Sequence, residues 1–190
     1  MNPLVAPAAR AARAAAARVA APPLHERFRL RNGEQVLIRP VRPSDADAEQ
    51  VFVRSLSPTS RLLRFHLGIR ELAPETLRAF TNVDERRHVA VVAQQGGPDG
   101  PIVADARYVR DDGDDTSAEF AIAVADEWQG RGLGRHLMRR LLDHAAAHGV
   151  RRLWGHVLYE NRRMLAMVRE AGGRFVHAGD ATLTRAVFDL

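Results

Sequence analysis

A glycine-rich turn between two different hydrophobic patterns constrains the fold of this chain most strongly. The turn, Gln129-Gly130-Arg131-Gly132-Leu133-Gly134, follows an alternating stretch over 116–124 and precedes Leu137 and Leu141 at helical spacing. Its three glycines let backbone amides approach a ligand without obstruction from side chains. The start of a helix also favours a bound anion, because its first N–H groups have no partner within the helix. The pattern therefore predicts an anion-binding junction between a strand and a helix.

Two common phosphate-binding motifs do not match this turn. A Walker loop requires Gly-Lys followed by Ser or Thr, whereas the basic residues here are Arg131 and Arg135. A dinucleotide-binding fingerprint requires a different spacing from that of Gly130, Gly132 and Gly134, and it follows a parallel strand instead of hairpins. A plain strand-to-helix turn remains the alternative.

The remaining patterns predict one domain of the α/β (α+β) class. The chain has 190 residues, 46% of them hydrophobic, which is enough for one core. Three consecutive strands before the glycine turn, joined by short loops rich in Gly and Asp, indicate an antiparallel meander. Ser44 is expected to cap the first helix, whose apolar residues include Val51 and Phe52. We predict strands over 36–41, 88–95, 102–110, 116–124, 153–158 and 182–188, and helices from 44, over 59–67, from 74, over 132–148 and over 161–171.

The amino-terminal segment differs in composition from the rest. Residues 1–27 form an Ala/Arg/Pro-rich tail that we expect to be disordered, with the folded domain covering 28–190. The arginine content of the tail is similar to that of an organelle transit peptide, but the serine enrichment of such peptides is lacking. Docking of the tail to a partner remains open.

Composition excludes several classes of function. The chain has no cysteine, so disulfides, thiolate metal sites and cysteine nucleophiles are excluded, and a reducing cytoplasm fits. No apolar run approaches the roughly 20 residues that cross a bilayer, so we expect a cytoplasmic protein with no membrane partner. His144 and His148 are not surrounded by an HExxH pattern, so we predict no metal and two solvent-exposed histidines. The net charge of +5 permits CoA phosphates or nucleic acid as partners, but Trp128 and Trp154 belong to no base-stacking aromatic series, which disfavours nucleic acid.

The segment from Val124 to Gly134 resembles the acyl-CoA signature of the GNAT N-acetyltransferase superfamily. Asn161 is similar to the family asparagine that follows a strand, begins a helix and contacts the pantetheine arm of the cofactor. The resemblance covers about residues 34–190. Within it, Ala118-Glu119-Phe120-Ala121 and the segment 160–165 resemble the catalytic domains of bacterial protein-lysine acetyltransferases. This implies a single GNAT-like domain with a mixed, mostly antiparallel sheet, splayed central strands and flanking helices.

The resemblance also implies a site for acetyl-CoA as cosubstrate. The pantetheine arm would lie between the splayed strands and bond to the backbone of one of them. The pyrophosphate would meet the amides of the glycine turn, and a basic residue would follow in the helix. The cofactor-binding residues implied are Ile122, Ala123, Val124, Gln129, Gly130, Arg131, Gly132, Leu133, Gly134, Arg135, His136 and Asn161.

Glu119 is the candidate general base. A lysine amine, with a pKa of about 10.4, is mostly protonated at neutral pH and must lose a proton before it attacks a thioester. Glu119 shares one strand face with Ala121 and Ala123, whose small side chains leave room for a substrate. It also matches the glutamate of the lysine acetyltransferases, and a solvent-facing charge is the alternative. Asp105 on the preceding strand is the rival base, and a cross-strand ion pair is its plainer role.

We therefore predict an N-acetyltransferase, monomeric or homodimeric, that acetylates a primary amine, with a protein lysine favoured by the resemblance. The general acid has no assignment, because Val168 stands where many relatives carry Tyr and Tyr159 is a weak substitute. Three alternatives stay open. They are a CoA-binding regulator without catalysis, a small-amine or polyamine acetyltransferase, and a nucleic-acid-binding module that uses the arginine-rich tail.

Overall fold

The computed structural model describes residues 23–190 of the chain. The tail predicted to be disordered lies outside the described residues over 1–22, and Glu26 already belongs to the sheet. Short 3-10 turns, Pro43–Asp45 and Asp126–Trp128, precede the first helix and the glycine turn. The strands are β1 (Glu26–Arg29), β2 (Gln35–Pro40), β3 (His88–Gln95), β4 (Ile102–Asp111), β5 (Asp114–Val124), β6 (Arg152–Leu158), β7 (Arg174–His177) and β8 (Leu183–Asp189). The α-helices are α1 (Ala46–Ser55), α2 (Pro58–Phe65), α3 (Pro74–Thr81), α4 (Leu133–Ala147) and α5 (Arg162–Glu170).

These strands form one sheet in the order β1-β2-β3-β4-β5-β6-β8-β7. Neighbouring strands are antiparallel except β5 and β6, which are parallel because the α4 crossover connects them. Their pairing ends at Glu119 and Trp154, and beyond that point the end of β5 separates from β6. Here β6 passes Phe120 so closely that a Cβ added to Gly155 would lie 2.8 Å from the Phe120 carbonyl oxygen. The structure confirms the predicted mixed sheet with flanking helices.

Helices cover the sheet on both faces. On one face, α4 and α5 bury an apolar layer that includes Leu137, Leu141 and Leu165. The leucines of α4 recur at helical spacing, so a single stripe of the helix packs on the strands. On the other face, α1, α2 and α3 cover a smaller apolar cluster around Phe52 and Val92. This arrangement places the amino-terminal end of α4 at the opening between β5 and β6.

Two edge strands were not predicted from the sequence. β1 and β7 have four residues each, which is too short to show a clear alternation. β1 also carries charged residues on either side of Phe28, as edge strands often do. Short edge strands of this kind are identified by their partners, and β1 pairs with β2 along its whole length.

The predicted start of the first helix was wrong. Ser44 does not cap α1, because the chain enters this helix through the 3-10 turn. The Asp45 carboxylate accepts a hydrogen bond of 2.7 Å from the backbone N–H of Arg42, which fixes that turn. Val51 was expected to be apolar core and is instead 60% exposed, while Phe52 and Val53 are buried.

Candidate active site

A cavity of about 330 Å³ opens where β5 and β6 diverge. Its walls come from α2, the end of β5, the glycine turn and α5. Leu63, Ile122 and Met164 give it apolar surface, while the glycine turn contributes backbone. A largely apolar cleft with a few polar groups is typical of cofactor sites.

The glycine turn enters α4 through conformations that favour glycine. Gly130 and Gly132 have φ values of 76° and 95°, in the left-handed region where other residues are strained. Gly132 is the N-cap of α4, and it has no side chain that could cap the helix. The first N–H groups of α4 therefore keep their capacity to donate to a ligand, and the helix dipole favours a negative one.

Most residues that the sequence assigned to the cofactor lie together in this cavity. They come from three separate segments, namely the end of β5, the glycine turn and the start of α5. The predicted residues that line the cavity are Ile122, Ala123, Val124, Gln129, Gly130, Gly132, Gly134, Arg135 and Asn161.

Three predicted cofactor residues direct their side chains elsewhere. Arg131 forms an ion pair with Glu34 and lies over the Trp128 ring. Leu133 is 1% exposed and belongs to the apolar core. His136 stacks on Phe28 with ring centroids 3.9 Å apart. These residues can serve a ligand in the cavity only through their backbone.

Gln129 ties the glycine turn to its surroundings. Its side-chain amide donates to the Val124 carbonyl at 2.9 Å and to the Ser60 hydroxyl at 3.3 Å. Arg163, on the opposite wall of the cavity, donates to its side-chain oxygen. Asp126 accepts hydrogen bonds from the hydroxyl and the backbone N–H of Ser57, and this contact docks α2 against the turn.

Asn161 has a structural task as well as a place in the cavity. Its side-chain oxygen accepts a hydrogen bond of 3.0 Å from the backbone N–H of Met164 and so caps α5. This bond engages the acceptor of the amide, which leaves its NH2 group to donate to a ligand.

Glu119 stands at the point where β5 and β6 begin to separate. It is the last residue of β5 that pairs with β6, opposite Trp154, and its side chain is 48% exposed. Ala121 and Ala123 follow it on the same face of β5, and Ala123 lines the cavity. The Nδ1 atom of His156 lies 3.5 Å from the Glu119 carboxylate. Glu119 is therefore accessible at one edge of the cleft and does not itself line the cavity.

Two histidines lie on the Glu119 side of the cleft. His66 ends α2 in a left-handed conformation, with φ of 56°. Burial, followed by the charge of His156, lowers the pKa of His66. The ring of His156 meets that of Trp154 edge-on at 5.2 Å. Sequence reasoning missed both histidines, because their approach to β5 depends on the packing of α2 and β6.

Asp105, the rival base, is engaged in a buried charge network. It is 1% exposed and accepts a hydrogen bond of 3.0 Å from Nε of Arg107. A guanidinium nitrogen of Arg64 lies 3.7 Å from its carboxylate. The expected cross-strand ion pair was therefore wrong in detail, because the partners are a residue of the same strand and a residue of α2. With two cations at its carboxylate, Asp105 is a poor proton acceptor.

Glu49 completes this network from α1. Its carboxylate lies 3.7 Å from the Arg107 guanidinium, and its Oε2 atom has no hydrogen-bond partner among the described residues. Burial, together with the charge of Asp105, raises the pKa of Glu49 to about 8. The network lies behind Arg64, which lines the cavity.

The sequence prediction also omitted several cavity residues. Ser60, Leu63 and Arg64 belong to α2, and no motif marked this helix as part of the site. Arg163, Met164 and Met167 follow Asn161 on α5. Their spacing of three and four residues from one another and from Asn161 was the available signal, because it puts them near one face of the helix.

The candidates for a general acid are far from equivalent. Val168 is fully buried in the apolar core, so its position offers no polar group. Tyr159 is 44% exposed, beyond the end of β6. Neither residue lines the cavity.

The histidine pair on α4 differs from the prediction. His148 is exposed, but His144 is half-buried, and its Nδ1 lies 3.0 Å from the Tyr108 hydroxyl. Burial, followed by the charge of His148, lowers the pKa of His144 to about 4. Within residues 23–190, no group of three or more His, Asp or Glu side chains is arranged to hold a metal ion. No helix in the same range is long and apolar enough to cross a membrane.

Comparisons with known sequences agree with this geometry. The profile of the Acetyltransferase (GNAT) family matches residues 59–172. The chain is 36% identical over 139 residues to Acetyltransferase PA5475 from Pseudomonas aeruginosa, covering 71% of this chain and 73% of that protein. It is 34% identical over 147 residues to Acetyltransferase Pat from Mycolicibacterium smegmatis, covering 77% of this chain and 44% of that protein.

Solved structures share the fold. The GNAT domain of S. lividans PAT has a TM-score of 0.82 and 28% identity, with 88% of this chain and 97% of that chain covered. A cAMP-binding acyltransferase from Mycobacterium smegmatis has a TM-score of 0.61 and 31% identity over 95% of this chain. The chain spans 52% of that larger acyltransferase.

The parallel pair that separates, the cavity between its strands and the glycine turn at a helix start define an acyl-CoA-dependent N-acetyltransferase. The chain belongs to the GNAT family of acetyltransferases. Acetyl-CoA is its cosubstrate, as the family implies.

Proposed function

We propose that this enzyme transfers the acetyl group of acetyl-CoA to a protein lysine, with Glu119 as the general base. The observation that carries the proposal is the position of Glu119. It is an accessible carboxylate at the point where β5 leaves β6, on the same strand face as the cavity residue Ala123. An amine that reaches the cavity from this side passes the carboxylate before it meets the thioester.

The cofactor is proposed to occupy the cavity between the end of β5 and α5. Ile122, Ala123 and Val124 offer a strand edge without a partner in β6, which suits the amide groups of a pantetheine arm. Gly130, Gly132 and the amides at the start of α4 suit a pyrophosphate. The Val124 carbonyl already accepts from Gln129, so the neighbouring backbone groups are the better partners for the arm.

The chemistry needs one base and a positioned carbonyl. The lysine nitrogen attacks the thioester carbonyl carbon after Glu119 takes a proton from the ammonium group, directly or through water. The new C–N bond forms, the C–S bond breaks, and CoA leaves as a thiolate. A thiolate is stable enough to leave without a dedicated acid, which suits a site whose cavity wall contains no Tyr among the described residues.

A protein lysine is favoured as the acceptor for two reasons. The sequence around Glu119 and Asn161 resembles that of bacterial protein-lysine acetyltransferases. The residues of β6 beside Glu119, namely Trp154, His156 and Leu158, are only half-buried, so a surface next to the base is open to a large acceptor.

Replacement of Glu119 by Gln tests the base. We expect kcat to fall by roughly 100-fold or more at neutral pH, because general-base catalysis contributes about 10²–10⁴-fold. Affinity for acetyl-CoA, measured by calorimetry, should change little. Glu127→Gln is the matched control, because Glu127 is an exposed glutamate in the 3-10 turn before the glycine turn. A fully active Glu119→Gln variant would remove the assigned role.

The acceptor is tested with isotopically labelled acetyl-CoA. Cell proteins and a panel of small amines and polyamines are incubated separately with the enzyme or with Glu119→Gln. Mass spectrometry should find labelled lysines that depend on Glu119. Release of free CoA only with small amines would favour the small-amine alternative. Binding of CoA without transfer to any acceptor would favour the regulator.

A further inference from the structure

Arg163 faces the glycine turn from the other side of the cleft. It lies on α5, in the first turn of the helix that Asn161 caps, and it lines the cavity. Its guanidinium donates to the side-chain oxygen of Gln129, the first residue of the glycine turn. This contact joins the two walls of the cavity, because Gln129 follows β5 and Arg163 follows β6.

The charge of Arg163 is not neutralised by a carboxylate among the described residues. Three arginines line the cavity, and the other two have acidic partners. Arg135 forms two hydrogen bonds with Glu170, and Arg64 is held by Asp105. Arg163 has only the neutral amide of Gln129 as a partner. It is therefore the cavity arginine with a full charge left for a ligand.

We propose that Arg163 leaves Gln129 to bind the diphosphate of CoA, so that the cofactor is held from both walls of the cleft. The proposal rests on the cofactor placement given under the proposed function. The amides of the glycine turn donate to the diphosphate from one side, and the guanidinium donates from the other. A guanidinium prefers phosphate oxygens to a neutral amide oxygen, because the hydrogen bond is then charged on both sides.

The contact with Gln129 indicates the diphosphate as the group that Arg163 binds. Gln129 begins the turn whose amides are proposed to hold the diphosphate, so the guanidinium already lies at that level of the cleft. The 3′-phosphate is the other anionic group of CoA. It is attached to the adenosine ribose, beyond the diphosphate, so the two sites can be separated with truncated ligands.

A purely structural role for Arg163 makes a different prediction. If Arg163 only braced Gln129, its loss would loosen the Gln129 contact with the Val124 carbonyl. The wall beside the pantetheine arm would then change, and ligands without phosphates would also bind more weakly.

The test is calorimetric binding of three ligands to the full chain. Wild type, Arg163→Ala and Arg162→Ala are titrated with CoA, with dephospho-CoA, which lacks the 3′-phosphate, and with pantetheine, which lacks all phosphates. Arg162 is the matched control, because it is an exposed arginine on the same helix and does not line the cavity. Circular dichroism melts of the variants check that the fold is retained.

We expect Arg163→Ala to weaken CoA and dephospho-CoA by the same factor, roughly tenfold, because a hydrogen bond between charged groups is lost. Pantetheine binding should not change, and Arg162→Ala should bind all three ligands like wild type. Weakening of CoA alone would assign Arg163 to the 3′-phosphate and overturn the proposal. Equal weakening of all three ligands would show the bracing role and overturn it too. If wild type bound no CoA, the cofactor placement itself would fail.

Discussion

The two faces of the sheet bury different kinds of side chain. Under α4 and α5 the interior is mainly apolar, and a polar contact there joins the Tyr108 hydroxyl to His144. Under α1, α2 and α3, the buried groups include Glu49, Asp105 and Arg107, each at most 4% exposed. The first face supports the glycine turn through the backbone of α4, while the second supports the Glu119 side of the cleft through charged side chains.

This difference teaches where each half of the site is sensitive to substitution. The glycine turn depends on left-handed backbone conformations, so changes of conformational freedom should matter most there. The charge network depends on complete pairing, because a buried charge that loses its partner is costly. The predictions below probe the two faces separately.

The largest effect is expected for Asp105→Asn on the charged face. Asn keeps the shape of the side chain but removes the negative charge between Arg64 and Arg107. We expect the free energy of unfolding, measured in urea, to fall by about 3–5 kcal/mol, as for other buried pairs that lose one partner. The Arg107 guanidinium stacks 3.8 Å from the Phe80 ring centroid, so the loss should also loosen α3.

An exposed ion pair provides the control for this prediction. Asp112 pairs with Arg87 at 2.9 Å, but its side chain is fully exposed. Asp112→Asn should change the free energy of unfolding by less than about 1 kcal/mol, as is usual for surface ion pairs. If the two variants were equally stable, the charge network would not hold this face together.

The same contrast explains what the sequence could and could not predict. The cofactor wall is built from local patterns, so the glycine turn, Asn161 and the leucine stripe of α4 were identified from spacing alone. Asp105 and Arg107 alternate with alanines in β4, which is also the pattern of a half-exposed strand. Their burial follows from the packing of α1 and α3, which no local pattern contains. The role of α2 in the cavity was missed for the same reason.

A smaller effect is expected for Gly132→Ala at the glycine turn. Its φ of 95° is strained for alanine, so we expect a loss of about 1–2 kcal/mol in stability or a shift of the turn. Because a shifted turn misplaces the first amides of α4, affinity for CoA should fall roughly tenfold by calorimetry.

Gly113 provides the matched control for Gly132. It has φ of 80° in the β4–β5 hairpin, and it does not line the cavity. Gly113→Ala should show a similar loss of stability and unchanged affinity for CoA. Equal affinities for CoA in the two alanine variants would mean that the turn does not position the cofactor.

The smallest effect is expected at the Tyr108–His144 contact of the apolar face, and it depends on pH. Burial lowers the pKa of His144 to about 4, below the value of about 6.5 in an unfolded chain. Between these values the unfolded state binds more protons, so stability is full above pH 6.5 and is lost as the pH falls toward 4. His144→Gln should make the free energy of unfolding, measured in urea, less dependent on pH across this window. Tyr108→Phe removes the hydroxyl but keeps the buried imidazole, so it should retain the pH dependence. An unchanged slope for His144→Gln would mean that acid destabilises the protein through the charged face instead, where burial and Arg107 lower the pKa of His88 to about 4.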